Sequence, residues 1–167
     1  FWATSVAAVV DGETVAATTV LPAEGEVYVA GPESVTRDGR ELAVSDRTDP
    51  AVFAVGLLGR LPGGDDYATL FRAAADRLGD LRRLGCMQGT LALVASGGLD
   101  AAITPTSTHP WDTVAGVHLI RRAGGTVTDL RGDPWTPNSE GLVASNGQTH
   151  EEILAVARAG AEETGRD

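Results

Sequence analysis

The sequence predicts an α/β fold, on three observations. Strand-like and helix-like segments alternate from residue 51 onward, Asp-Gly pairs punctuate β-branched runs in the first 41 residues, and 43% of the 167 residues are hydrophobic. That content can bury a real core in one domain, or in one domain plus part of another.

Thr4 to Val10 is apolar and partly β-branched, Asp11-Gly12 is a turn signal, and Thr14 to Val20 is a second β-branched run, so a hairpin is expected. A third short strand follows at Glu26 to Ala30, bracketed by the irregular Leu21-Pro22 and Gly31-Pro32, and Asp38-Gly39 marks another tight turn. Residues 1–30 read as the end of an antiparallel sheet, part of which is expected to lie outside the chain, because so few strands expose a face or an edge. The character changes near Thr48-Asp49-Pro50, which divides residues 1–48, the end of an incomplete α+β domain, from residues 49–167, an α/β domain.

Ala51 to Leu58 is a continuous apolar run, Leu61 to Asp66 a glycine-rich loop, and Tyr67 to Leu78 is helical in period through Leu70, Phe71, Ala74 and Leu78. A short strand is expected at Leu81 to Leu84, a buried helix at Met87 to Ser96, and a strand at Leu99 to Thr104 after Gly97-Gly98. Thr113 to Arg122 is a further helix, stopped by Gly124-Gly125, with Arg121 and Arg122 complementing its negative end. Thr126 to Leu130 and Gly141 to Ser145 complete the strands, and His150 to Ala159 is the last helix before a polar tail. No internal repeat or low-complexity tract occurs.

Charge narrows the function. Twenty-three acidic residues face 13 basic ones, every one of them arginine, for a net charge of -10. A lysine-free acidic surface suits a protein kept soluble in high salt, and a G+C-rich genome would also replace lysine by arginine. Either way the field repels a nucleic-acid backbone, and no arginine stripe interleaved with aromatics is present. A small phosphate-bearing substrate then needs local cations, which points to a bound metal. Cys86 is the single cysteine, so neither an intramolecular disulfide nor a thiolate cluster can form. No apolar run spans a bilayer, and no basic, apolar leader opens the chain, so a soluble cytoplasmic protein is expected.

Asp112, in His109-Pro110-Trp111-Asp112-Thr113-Val114-Ala115-Gly116, stands at a helix start. An acid there stabilises exposed amides by a few tenths to about 1 kcal/mol, which is reason enough for its presence. Bulky Trp111, expected to anchor the segment, and the polar run Thr104-Pro105-Thr106-Ser107-Thr108, expected to line a cleft, favour a site instead. One carboxylate is nevertheless a weak Mg²⁺ site, because Mg²⁺ shares its octahedral oxygen shell among several donors. Gly85-Cys86-Met87 precedes a second helix whose free amides could hold a phosphate or a hydroxyl, or the glycine could serve close packing. Cys86 reads as a small half-buried thiol rather than a nucleophile, since no base is placed beside it. His109 reads as a loop histidine, His118 and His150 as helix-associated ones. Arg82-Arg83 could hold a phosphate or be solvated beside Asp76 and Asp80, and Asp129 could orient a turn or a substrate. No Walker loop or dinucleotide fingerprint occurs.

Pro110-Trp111-Asp112-Thr113-Val114-Ala115-Gly116 followed by Arg122-Ala123-Gly124-Gly125-Thr126-Val127-Thr128-Asp129 resembles the inositol monophosphatase family, within the Mg²⁺-dependent, lithium-sensitive phosphatases that include archaeal fructose-1,6-bisphosphatases. Arg83-Leu84-Gly85, the run from Leu93 to Ala101 and Leu142-Val143-Ala144-Ser145-Asn146 support the resemblance in family order. It implies a partial αβαβα layered sandwich and hydrolysis of a phosphate monoester by metal-activated water. It also implies that Asp112 ligates Mg²⁺, and that Gly85, Cys86 and Met87 line the substrate pocket with Thr104, which stands where inositol-specific members carry glutamate. No catalytic residue is assigned within the chain. The family's Asp-Pro-x-Asp-Gly-Thr-x-Asn-Phe motif is absent, and Phe1-Trp2-Ala3-Thr4-Ser5-Val6 resembles the strand that follows it, so the resemblance is read as confined to a C-terminal portion, inactive by itself. Expected substrates are an inositol monophosphate or a related sugar phosphate, with fructose-1,6-bisphosphate or an adenosine bisphosphate as alternatives. A non-catalytic interaction module with a degenerate site is a third reading, and a homodimer is the assembly the resemblance suggests.

Overall fold

The computed structural model describes residues 1–59 and 65–162. Its first sheet is an antiparallel meander of β1 (Thr4–Val10), β2 (Glu13–Leu21), β3 (Glu26–Ala30), β4 (Val35–Arg37) and β5 (Arg40–Glu41), in that spatial order. Val10 pairs with Glu13, so Asp11-Gly12 is a two-residue loop, and its φ angles of 51° and 85° put both residues in the left-handed region of a type I′ turn. Asp38-Gly39 repeats this between β4 and β5, so the sheet continues past the expected limit at Ala30 to Glu41. Alternation sends Leu21, Tyr28, Ala30 and Val35 inward, where they are buried, and leaves Val6, Val27 and Val29 on the outer face, exposed.

The second sheet contains β6 (Ala54–Leu57), β7 (Asp80–Arg82), β8 (Ala101–Thr104), β9 (Thr126–Thr128) and β10 (Leu142–Ser145), ordered β7-β6-β8-β10-β9. β6 runs parallel to β7 and β8, whereas β10 is antiparallel to β8 and β9, which makes the sheet mixed. Four helices complete the described chain: α1 (Asp65–Ala75), α2 (Met87–Ala95), α3 (Pro110–Arg122) and α4 (His150–Glu162).

Layering follows from which faces are apolar. Between the sheets lie α2 and α3, where Leu91, Ala92, Leu119 and Ile120 join Leu21 and Tyr28 of the first sheet and Ala102 and Leu142 of the second in one core. On the far face of the second sheet, Leu70, Ala74, Ile153 and Leu154 of α1 and α4 cover Phe53, Val55 and Ile103. The order sheet, helix pair, sheet, helix pair makes four consecutive layers of an αβαβα sandwich, as the sequence predicts. Enclosure by two sheets explains why α2 is apolar and small-residued on nearly every side.

Several boundaries differ from expectation for local reasons. The apolar run at Ala51–Leu58 is split, because the Asp49 carboxylate accepts from the Ala51 amide at 3.0 Å and caps a single 3-10 turn at Pro50–Val52 before β6 begins. The strand expected at Leu81–Leu84 lies at Asp80–Arg82, set by the pairing of Ala54 with Asp80. Helix α3 starts at Pro110 rather than Thr113, proline being suited to a first turn that needs no amide donor. Residues 61–64 of the expected glycine-rich loop lie outside the described residues, as does the polar tail beyond Glu162.

The connection from the first sheet to the second is pinned by Asp100, whose side chain is fully buried. Ser45 Oγ donates to its Oδ1 at 2.5 Å, the Ala54 amide donates to its Oδ2 at 2.8 Å, and Arg47 donates to both oxygens. Asn146 Nδ2 closes the cluster through Ser45 Oγ and the Arg47 carbonyl, each at 2.9 Å. A buried carboxylate is tolerated there because every oxygen has donors.

Candidate active site

The carboxyl ends of the parallel strands β6 and β8 open onto a cavity of about 530 Å³, lined by Leu57 to Gly59, Thr104 and the loop Thr106–His109. Crevices at this end of parallel strands are favoured ligand positions, since the strands diverge there and helix N-termini point in. The starts of α2 and α3 reach the same cavity through Gly85, Met87 and Asp112. The first-turn amides of α2 favour a bound anion, whereas α3 begins with a proline and its Asp112 amide is already bonded to the His109 carbonyl.

The structure brings four of the five sequence-predicted residues to this cavity: Gly85, Met87, Thr104 and Asp112. Cys86 turns to an adjoining cleft of about 320 Å³, which also touches Gly85, Met87 and Asp112. Gly85 has φ 76°, a left-handed conformation that lets the chain reverse out of β7 before α2, and a Cβ there would meet no atom within 4 Å. Cys86 occupies the N-cap of α2 without a side-chain capping bond, and its carbonyl accepts from Thr90 Oγ1 at 2.7 Å. Thr104 closes β8 opposite Leu142 and is fully buried; its Oγ1 has no hydrogen-bond partner among the described residues. Asp112 is half-buried in the first turn of α3, its amide donating to the His109 carbonyl at 2.9 Å. Among the described residues its carboxylate makes no hydrogen bond or ion pair.

Other candidates resolve into structural roles. The Trp111 ring does not anchor the segment: it is 71% exposed and stacks on His109 with centroids 4.4 Å apart. The anchor is the Trp111 carbonyl, which accepts from Gln88 Nε2 at 3.0 Å. Asp129 orients a turn, accepting from the Arg131 and Asp133 amides at 2.8 and 3.1 Å. His150 is buried, with Nδ1 2.8 Å from Ser145 Oγ and Nε2 2.9 Å from Thr128 Oγ1. Burial pushes its pKa down, as it does for His118, where Arg122 and Arg121 act in the same direction. The arginine pair divides: Arg82 pairs with Asp80, while Arg83 lines the cavity, donates to the Gly59 carbonyl at 3.1 Å and lies 5.7 Å over the Tyr67 ring. Burial raises the Tyr67 phenol, against the pull of the Arg83 charge.

Sequence reasoning missed Gln88, because nothing local distinguishes an amide that bridges two helices from a solvated one. It also left Arg83 undecided between two roles. A larger groove of about 870 Å³ between the β1–β2 turn, α3 and Trp135 contains none of the predicted residues.

Does this donor set suit Mg²⁺? In kind it does, since Asp112 is a hard oxygen ligand beside the hydroxyl-bearing Thr106, Ser107 and Thr108. Its charge also offsets the positive helix end that would otherwise repel a cation. In number it supplies one carboxylate, and no group of three or more His, Cys, Asp or Glu residues able to hold a metal occurs among the described residues. Nor, among them, is any helix long and apolar enough to cross a membrane.

Comparison with known proteins adds identity to this geometry. The model of the inositol monophosphatase family matches residues 1–162. The inositol-1-monophosphatase ImpA of Mycolicibacterium smegmatis is 37% identical over 161 residues, covering 89% of this chain and 56% of that protein. A fructose-1,6-bisphosphatase/inositol-1-monophosphatase of Thermotoga maritima is 35% identical over 85 residues, 51% of this chain and 33% of that protein. The solved structure of a Thermotoga maritima IMPase superposes with a TM-score of 0.91 at 27% identity, over 98% of this chain and 63% of that one. The resemblance is therefore not confined to a C-terminal portion, which corrects the sequence reading: family model and solved structure match nearly the whole chain from its first strand onward. Measured the other way, the chain spans about half the length of the M. smegmatis relative, 56%.

Proposed function

The chain belongs to the inositol monophosphatase family, and from that premise we propose that its cavity is one part of a site for Mg²⁺-dependent hydrolysis of a phosphate monoester, an inositol monophosphate or a related sugar phosphate. One observation carries the reading: the Asp112 carboxylate and the Gly85–Met87 turn, distant in sequence, open onto one cavity at two helix N-termini. In this reading Asp112 holds Mg²⁺, which supplies positive charge at the phosphoryl oxygens when bound. The amides at the start of α2 hold the anionic end of the substrate, and Thr104 and the Thr106–Thr108 loop meet its alcohol portion. The second-sheet unit, residues 49–167, carries this cavity, with residues 1–48 as the other unit.

Calorimetric titration of the chain with myo-inositol 1-phosphate, with and without Mg²⁺, tests the proposal. Mg²⁺ should strengthen binding at least tenfold, and Asp112→Asn should abolish that dependence while leaving the melting temperature nearly unchanged. Binding that ignores Mg²⁺ in both proteins would return Asp112 to a helix-stabilising role and favour the non-catalytic module. Phosphate release by the chain alone is expected at no more than the buffer rate, since one carboxylate is one ligand of a shell that needs several.

Arg83 supports a second reading. A guanidinium fixed by the Gly59 carbonyl and the Tyr67 ring, on the cavity that holds Asp112, suits a substrate with a second anionic group. Tighter binding of fructose-1,6-bisphosphate than of inositol 1-phosphate in the same titration would favour it.

A further inference from the structure

Gln88 is 7% exposed, and both ends of its amide are engaged by α3. Nε2 donates to the Trp111 carbonyl at 3.0 Å, and Oε1 accepts from the Gly116 amide at 2.8 Å. These two backbone groups bracket Asp112, so one side chain from the first turn of α2 grips the first two turns of α3 on either side of it. Gly116 makes the grip close: a Cβ there would lie 2.9 Å from Gln88 Oε1 and 2.5 Å from Leu91 Cβ. Gln88 also follows directly on the Gly85–Met87 turn and shares the smaller cleft with Cys86 and Asp112. With no partner among the described residues, the Asp112 carboxylate takes its direction from this backbone.

We propose that Gln88 is a positioning residue: it fixes the Asp112 turn against the Gly85–Met87 turn and so sets the distance between the carboxylate and the anion-binding amides. The proposal rests on the reading of Asp112 given above, because a role in positioning presupposes a carboxylate that must be positioned. The physical argument is that a buried amide with both ends satisfied holds one geometry, whereas an apolar replacement leaves the Trp111 carbonyl and the Gly116 amide free to shift.

The test is Gln88→Met in the full chain, which keeps volume and deletes both bonds, read by amide hydrogen exchange. Exchange should rise about tenfold or more at Asp112 through Gly116 while Leu119 to Arg122, at the other end of α3, keep their protection. In the titration with myo-inositol 1-phosphate the Mg²⁺ concentration needed for tight binding should rise about 10- to 100-fold, the usual cost of removing the support of a ligand. Gln88→Glu keeps the acceptor for the Gly116 amide and loses the donor to Trp111, so its exchange should be raised at the start of the turn and spared at Gly116. Unchanged exchange in both variants, or a uniform rise across α2 and α3, would overturn the proposal. If Gln88→Met fails to fold, the Gln88→Glu pattern decides it alone. Should the wild-type chain bind inositol 1-phosphate without regard to Mg²⁺, the functional reading fails, and the exchange contrast still decides whether Gln88 holds the turn.

Discussion

His150 shows how a residue that pattern places correctly at a helix start is explained only by its surroundings. It opens α4, where an exposed histidine would be unremarkable, yet it is 8% exposed and its two ring nitrogens meet Ser145 and Thr128, which tie β10 and β9 to the helix start. Burial lowers its pKa, only partly opposed by Glu151, so the folded protein takes up a proton at lower pH than the unfolded chain. The sign follows: stability from the neutral ring is complete above the unfolded value near 6.5 and declines as pH falls below it, by up to about 1.4 kcal/mol per pH unit. Urea unfolding at pH 7.5 and 5.5 should show a larger loss for the wild type than for His150→Gln, which cannot titrate. Equal losses would mean that carboxylates alone set the acid limb. Asp112 belongs to the same scale with the opposite lesson. Its place on α3 is legible from motif and position, but that its carboxylate has no partner among the described residues, on which the metal-binding reading depends, is visible only in the structure.

Elements were legible where their cause is local. Asp11-Gly12 and Asp38-Gly39 mark two-residue turns because both residues adopt positive φ, and β1 and β3 have the expected boundaries. Causes from distant chain were not legible. The strand at Asp80–Arg82 is defined by its pairing with β6, and the order β7-β6-β8-β10-β9 joins segments from positions 54 to 145, which no window of sequence contains. The site divides in the same way: Gly85, Met87 and Asp112 were named from motif positions, whereas Gln88 matters through Trp111 and Gly116 on another helix. The packing of α2 on α3 makes the dependence measurable. Because a methyl at position 116 would press on Leu91 and Gln88 together, Gly116→Ala should destabilise by about 1–3 kcal/mol, the usual cost of overpacking, despite alanine's better helix propensity. A neutral or stabilising effect in urea unfolding would show that the two helices can separate without loss.

At the scale of the whole molecule the excess of carboxylates, 23 against 13 arginines, is the dominant electrostatic fact. Several arginines are engaged by backbone carbonyls rather than by acids: Arg121 donates to Trp135 at 2.7 Å, Arg122 to Pro32 at 2.6 Å, and Arg158 Nε to Leu130 at 2.9 Å. Guanidinium groups used as carbonyl clamps join elements across the layers, and the carboxylates that outnumber them leave a net charge of -10. Such self-repulsion opposes the compact state and is screened by salt, the Debye length falling from about 10 Å at 0.1 M to about 3 Å at 1 M. The ion pairs that salt would weaken, such as Arg37–Glu26 at 3.6 Å, are surface pairs of small worth. Relief of repulsion should therefore win, and the melting temperature should rise between 0.1 and 1 M potassium chloride. The course above 1 M separates two origins of the acidity. If lysine is absent only through codon bias, the gain should level off once screening is complete. If the surface is adapted to high salt, the melting temperature should keep climbing to 3 M, because hydrated carboxylates compete for water where simple screening has nothing left to contribute. A melt insensitive to salt throughout would mean that the charges lie too far apart to repel, and that the acidity carries no stability consequence at all.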